Sequence, residues 1–439
     1  MTDPAYWRPE IETLPWAEVP ALQAPLLAAQ LDHLLASSPF YARKFAAAGF
    51  DPARHALQDA PFTTKDELRD SQASHPPLGA HQAAPLRDVI RIHSSSGTTG
   101  RPSYVGVTRN DVAGWTETVS RVYWCEGVRP DDVVIHGFGL GFFVGGLPLK
   151  DAIENIGATF VPIGTGASDR IVTSIQNLGA TVLTCTPSYA QYLAEYVRQR
   201  HDLDPATLGL KRIMLGAEPG GGIPAVRDRI AADFGATVTE GLGNADLIPV
   251  YMAACGHGDG MHAVAPDRLL LELIDPETLT PIPWEPGATG ELVATHLDRE
   301  CVPLVRFRTR DRVLVHGLGC PCGRTGPRIT CVGRTDDMLI IAGVNVWPSA
   351  ISDLISGLRP FTSGAFQILL DGPGPKVPPP LRLQVEYGDE ATDLDALTSR
   401  IEQLIRDKLV VRARVELVPP STLERYEMKA RYIRTGGDT

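Results

Sequence analysis

The sequence predicts an α/β protein. A large N-terminal domain would combine mostly parallel sheets covered by helices with a β-rich subdomain, and a small α+β C-terminal domain would follow. Three observations carry that expectation. Strand-like and helix-like segments alternate from Val133 to Thr239, shorter strand-like segments follow Gly260, and beyond Gly333 the order becomes helix, strand, strand, helix, strand. With 439 residues the chain is too long for one hydrophobic core, so two or three domains are expected.

Leu22, Leu26, Leu27, Leu31, Leu34 and Leu35 recur at helical spacing and predict an opening amphipathic helix. Val89–His93 reads as a strand, Tyr104–Val107 as its partner, and Asn110-Asp111 as the cap of a helix to about Trp124. The strands expected next are Val133–His136, Ala158–Ile163, Ala180–Thr184, Arg212–Leu215 and Thr237–Thr239. The intervening helices are Leu147–Ile156, Ile171–Asn177, Tyr189–Arg198 and Ala225–Phe234. Units of this length imply a parallel sheet with both faces covered, and ligands gather at the carboxyl ends of such strands. Leu269–Ile274, Gly290–Ala294 and Leu304–Phe307 mark the β-rich subdomain, about residues 260–334 of an N-terminal domain spanning 1–334. The C-terminal domain, 335–439, contains Ser349–Ile355 (helix), Ala365–Leu370 and Leu381–Glu386 (strands), Leu394–Lys408 (helix) and Val415–Val418 (strand). The Pro/Gly run Gly372–Pro380 reads as a hairpin loop.

Hydrophobic residues at 43% and charged residues at 21% are those of a globular chain. Lys+Arg 41 against Asp+Glu 52 leaves a net charge of −11, which argues against nucleic acid as a partner and requires any anionic ligand to be met by a local site. No apolar run reaches the ~18 residues of a membrane span, and Met1-Thr2-Asp3-Pro4 lacks the basic start of a leader. A cytoplasmic protein with no membrane partner is expected. Seven cysteines in so long a chain do not make a disulfide scaffold. Cys125, Cys185, Cys301 and Cys331 have apolar neighbours and read as small buried residues.

The run Ser94-Ser95-Ser96-Gly97-Thr98-Thr99-Gly100-Arg101-Pro102 follows the first strand. Glycines let backbone N–H groups converge on an anion and hydroxyls add donors, so a phosphate cradle is expected, although the spacing is not that of a Walker A loop. Other loops at strand ends are Phe138–Gly146, Thr186–Tyr189, Gly216–Pro219 and Glu240–Asp246.

Arg91 to Pro102 resembles the phosphate loop of adenylate-forming enzymes, and of the phenylacetate–CoA ligase family in particular. Phe138-Gly139-Leu140 with Gly145-Gly146-Leu147, Thr186-Pro187-Ser188-Tyr189, Gly216-Ala217-Glu218-Pro219, Val305 to Asp311 and Gly333 to Ile341 agree with it, in order, from about residue 5 to residue 434. The resemblance implies a ligase that joins a carboxylic acid to ATP as an acyl-adenylate and then to coenzyme A, with Mg²⁺. It implies phosphate and nucleotide contacts from Ser95, Ser96, Gly97, Thr98, Thr99, Gly100, Ala217, Glu218, Pro219, Glu240, Gly241, Asp311 and Arg334. Lys429 would bridge carboxylate and α-phosphate, with Thr99 and Asn244 completing the catalytic set. Asp336 would be the hinge on which a mobile C-terminal domain swings, and a homodimer is expected.

Two departures stand out. Asn244 replaces the family's metal-holding glutamate, leaving Asp246 or Glu240 to supply charge, and Ala342 stands where arginine is common. They motivate two alternatives: an adenylating enzyme serving a carrier protein or amine, and a non-catalytic nucleotide-binding protein. Cys320-Pro321-Cys322 with Cys255 and either His257 or His262 could hold zinc through three thiolates and one imidazole. The resemblance favours His262 and a structural role. Phe138, Phe142, Phe143 and Tyr189, with Gly216 and the neighbouring glycines, would line a pocket for a flat aromatic acid. His136 and Arg268 are candidates for binding a second polar group on it.

Overall fold

In the computed structural model, which describes residues 5–95, 103–372, 374–424 and 431–435, the leucine-rich start forms the helix Val19–Ser37. Strands β1 (Arg91–Ser94) and β2 (Tyr104–Val107) pair antiparallel, with Ser94 opposite Tyr104. The helix after them spans Arg109–Cys125 and is capped by Thr108 with Asp111 rather than by Asn110. Each of Thr108 and Asp111 satisfies the other's backbone N–H, the reciprocal arrangement that makes a capping box.

One sheet of eleven strands organises the molecule. Its parallel half contains β3 (Val133–His136), β4 (Thr159–Val161), β5 (Val182–Cys185), β6 (Arg212–Leu215) and β7 (Thr237–Leu242). Helices Leu147–Ile156, Ser168–Leu178, Pro187–His201 and Pro224–Phe234 make the crossovers, and all four residues of β5 are buried, as a strand covered on both faces requires. The antiparallel half contains β8 (Met252–Ala254), β9 (Met261–Ala263), β10 (Leu269–Ile274), β11 (Thr289–His296), β12 (Phe307–Leu318) and β13 (Pro327–Arg334). Across the sheet the order is β10-β11-β12-β13-β9-β8-β7-β6-β5-β3-β4. The strand expected at Leu304–Phe307 instead begins at Phe307 and runs twelve residues, alternating buried and half-buried positions. Arg306, just before it, has a positive φ of 44° and donates to the carbonyls of Gln58 and Ala60.

After β13 the chain forms β14 (Leu339–Ile341), β15 (Val344–Val346), β16 (Thr362–Leu370), β17 (Lys376–Val377), β18 (Leu381–Tyr387), β19 (Ala413–Val418) and β20 (Ile433–Thr435). Helices Pro348–Ser356 and Leu394–Leu409 share a core with them. The Pro/Gly run between β16 and β18 is more than a hairpin loop, because β17 within it pairs parallel with β14. This C-terminal part is tied to the rest by Trp347 Nε1 on the Arg334 carbonyl at 3.1 Å and Ser349 Oγ on the Val332 carbonyl at 2.6 Å. Among the described residues no helix is long and apolar enough to cross a membrane. Cys125, Cys185 and Cys301 are buried as expected, whereas Cys331 is half-buried.

Candidate active site and a cysteine–histidine cluster

The carboxyl ends of β5, β6 and β7 open into a cavity of about 690 Å³, the place where a doubly covered parallel sheet offers free loops. One end is polar, with Lys65, Arg69, Ser94, Ser95, Asp246, Arg310 and Arg334. The other is largely apolar, with Val122, Leu149, Met214 and Val250 beside Tyr123 and Glu126.

At the polar end Ser95 donates its backbone N–H to Ser103 O at 2.9 Å, and their hydroxyls meet at 3.0 Å. Lys65 reaches both Ser103 Oγ and the Asp246 carboxylate. This lysine was not singled out from sequence, although Thr64, which caps the helix Lys65–Ser74, marks a helix start that aims it here. Ser96, Gly97, Thr98, Thr99, Gly100 and Lys429 lie outside the described residues. Asn244 lines the cavity beside Asp246, whose N–H its Oδ1 accepts at 3.0 Å.

The loop after β6 divides its side chains. Gly216 and Ala217 line the cavity, Ala217 with a positive φ of 71°. Glu218 accepts the Ser188 N–H at 2.8 Å, and Pro219 faces a separate crevice against the C-terminal part. Glu240 does not reach the cavity, although its neighbour Gly241 does. It is buried against Gly220, Gly221 and Gly222, and burial pushes its carboxyl up to about 7 despite the N–H groups it accepts. A β-carbon on Gly221 would stand 2.6 Å from that of Glu240, so the close approach requires glycine there. Arg334 lines the cavity and donates to Asp311 at 3.1 Å and to both Asp336 oxygens at 2.8 and 3.0 Å. Against the cost of burial, that fork holds Asp336 below the usual carboxylate range. Asp311 is buried behind Arg334.

Of the aromatic residues expected in the pocket, Phe138 and Phe143 line it, and Tyr189 and Phe142 do not. Thr186 caps the helix Pro187–His201 by accepting the Tyr189 N–H, and the ring turns into the core, where its hydroxyl meets Ser168 Oγ at 2.9 Å. Phe142 is 52% exposed; its carbonyl, not its ring, serves the site by accepting the Ser94 N–H at 3.0 Å. His136 is buried outside the lining, paired with Thr184 and packed against Phe138 and Phe160. Burial drives its imidazole down to about 4, so it is neutral. Arg268 pairs with Asp298 and Asp267, away from the lining.

On the antiparallel half, Cys255, His262, Cys320 and Cys322 bring their donor atoms within 4.8 Å of one another. Cys255 and Cys320 sulfurs are 3.7 Å apart, and Cys322 Sγ is 3.5 Å from His262 Nε2. A tetrahedral ion with bonds of about 2.0–2.3 Å separates its donors by roughly 3.5–3.8 Å, so these residues fit zinc. His257 takes part through its carbonyl, which Cys320 Sγ approaches at 3.8 Å, and His262 provides the ring. Burial, with the charges of Arg324 and Arg328, pushes His262 down to about 3 and leaves it a neutral ligand. The N-terminal segment straps over the cluster. Tyr6 donates to Cys322 O at 2.8 Å and Arg324 donates to Glu12 at 2.7 Å.

A family model of AMP-binding enzymes matches residues 21–296, and one of the AMP-binding enzyme C-terminal domain matches residues 343–434. The chain is 37% identical over 443 residues to phenylacetate–coenzyme A ligase of Thermus thermophilus, covering 96% of this chain and 97% of that protein. It is 33% identical over 413 residues to the Pseudomonas putida enzyme of the same description, covering 92% and 91%. Among solved structures, 2-hydroxyisobutyryl-CoA ligase in the postadenylation state with 2-HIB-AMP superposes with a TM-score of 0.91 at 32% identity, covering 99% of this chain and 93% of that one. The same enzyme with 2-HIB-AMP and CoA in the thioesterification state gives 0.73 at 33% identity, with the same coverage, so the domain arrangement here is similar to the postadenylation one. The chain belongs to the AMP-binding enzymes and, within them, to the phenylacetate–coenzyme A ligase family.

Proposed function

We propose that this protein is an ATP-dependent acid–CoA ligase that forms an acyl-adenylate and then an acyl-CoA thioester, acting on an aromatic acid in the cytoplasm. The observation that carries the reading is a single cavity whose polar end, at Ser95, Lys65 and Arg334, continues into an apolar end with Phe138, Phe143 and Met214. Such a cavity can hold a nucleotide and an apolar acid head to head. In the first step a carboxylate oxygen attacks the α-phosphorus and the bond to pyrophosphate breaks. In the second the CoA sulfur attacks the acyl carbon and AMP leaves with the carbon–oxygen electron pair. Negative charge grows on oxygen in both, so fixed donors and cations dominate the catalysis.

Ser95 and the residues after it would hold the phosphates, Lys429 would bridge carboxylate and phosphate, and Arg334, held from behind by Asp311, would meet the ribose. Phe138, Phe143 and Gly216 would flank the acid. A magnesium ion, which needs a carboxylate beside phosphate oxygens, would be met by Asp246, since Glu240 is sequestered behind Gly220–Gly222 and Asn244 brings only an amide. It would offset phosphate charge. Zinc would be held by Cys255, His262, Cys320 and Cys322 with no open position, and would crosslink the β-rich half. Asp336, bound to Arg334, would be the hinge.

Incubation with ATP, CoA and phenylacetate or benzoate should yield AMP and the acyl-CoA by mass spectrometry. AMP without thioester would mean another acceptor, and no acid-dependent pyrophosphate exchange would mean no adenylation.

A further inference from the structure

The apolar end of the cavity carries two polar groups that the reaction above does not use. Tyr123 stands in the last turn of the helix Arg109–Cys125 and Glu126 follows that helix. At a spacing of three residues the two side chains share one face. Both line the cavity, and both are only 4% exposed. Neither Tyr123 Oη nor Glu126 Oε1 has a hydrogen-bond partner among the described residues. The other oxygen, Glu126 Oε2, receives a single long bond from Thr239 Oγ1 at 3.4 Å.

Gly241, which also lines the cavity, leaves room beside Oε1, since a β-carbon there would stand 3.2 Å from it. Burial pushes the Glu126 carboxyl above its ordinary range and so favours its protonated form, and a phenol and a protonated carboxyl side by side can each donate and accept. A buried polar group left unpaired is costly, and two of them on one wall form a recognition surface. The cavity's cations, Lys65, Arg69, Arg308, Arg310 and Arg334, are paired with Asp246, Asp66, Glu291, Asp311 and Asp336, so a second carboxylate on the substrate would find each of them already engaged.

We propose that the acid activated by this enzyme bears a hydroxyl or amino group remote from its carboxylate, and that Tyr123 and Glu126 bind it. The inference rests on the ligase reading, which places the carboxylate at the Ser95 end and leaves the far end of the ring against these two residues. A site built to hydrogen-bond a substrate O–H or N–H strongly rejects the analogue that lacks it.

The test is kcat/KM, read as acyl-CoA formed, for phenylacetate and benzoate against their 3- and 4-hydroxy and 3- and 4-amino derivatives. At least one substituted acid should exceed its parent by about 100-fold or more, and the hydroxy and amino arms identify the group. Tyr123→Phe and Glu126→Leu should each cut that ratio by about tenfold or more. If the wild-type enzyme turns over the parents as well as every substituted acid, the subsite is refuted while the ligase reading stands. If no acid of either set gives AMP, both fall. The wild-type ratio decides even where a variant does not fold.

Discussion

The cysteine–histidine cluster and the cavity both gather residues from distant parts of one chain, and they do so to opposite ends. In the cluster, four donor atoms turn inward within 4.8 Å of one another, and the N-terminal segment covers them. In the cavity, about 690 Å³ is kept open, and on its wall Tyr123 Oη and Glu126 Oε1 have no hydrogen-bond partner among the described residues. A site whose donors satisfy one another can only stabilise. One that leaves buried polar groups unmet has free energy in reserve for a ligand.

This contrast is tested most severely at Lys429. Lys429→Ala should lower acid-dependent pyrophosphate exchange by about 10³-fold with the unfolding midpoint unmoved, as measured by calorimetry; a shift of several degrees instead would assign the lysine to packing. Cys320→Ser should do the reverse. Elemental analysis should show the loss of about one zinc per chain, and the midpoint should fall by roughly 5–10 °C, while kcat/KM at a permissive temperature stays within about threefold. A hundredfold loss of activity without thermal destabilisation would erase the distinction between the two sites.

Glu240 sharpens the comparison from the cavity side, because it is a buried carboxyl that serves structure. Its pKa is raised from 4.5 to about 7, chiefly by burial, so the folded state holds a proton that the unfolded state releases. The stability this contributes is complete below pH 4.5 and is lost as pH rises through about 7. Glu240→Gln should therefore flatten the decline between those limits by on the order of 3 kcal/mol in urea titrations. An unchanged slope would show that the carboxyl is already ionised. The smallest effect is expected at the hinge. Asp336→Ala removes the two bonds that hold it to Arg334, and should change the thioester-forming step by about three- to tenfold while leaving pyrophosphate exchange near normal, read by single-turnover kinetics.

The parallel half was legible from sequence because strands and helices alternate with clean periods and each loop falls at a strand end. Strand β12 was not. Its buried face holds Thr309 and Asp311, and Arg308, Arg310 and Arg312 alternate with them, so polar residues occupy both faces at one end of the strand and hide the period of two. Tyr189 read as a pocket residue because it opens a helix at a strand end, but the cap at Thr186 fixes an orientation that sends the ring into the core. Glu126 carried no local signal, and the helix start at Thr64 does not say what Lys65 will face. The lysine gains meaning only from Ser103 and Asp246, 38 and 181 positions away, and the glutamate only from the cavity it faces. The zinc ligands were visible as a spacing of thiols and imidazoles, and folding chose His262 over His257.

The pairing of β12 with β13 has a mechanical meaning. From Asp311 opposite Arg334 to Leu318 opposite Pro327 is seven residues along β12, about 24 Å at the rise of a strand. The far tip carries Cys320 and Cys322; the near end delivers Arg334 to the cavity and hands the chain to Asp336. A slip of one residue would put every side chain on the wrong face, and this ladder already contains two irregularities, between Arg312 and Val313 and between Val315 and Gly317. Anchoring the tip fixes the phase of the whole ribbon. The cluster thus acts as a clamp on a ruler, and its removal would lower the temperature at which the ribbon loses its register while leaving the side chains that meet the nucleotide in place below it.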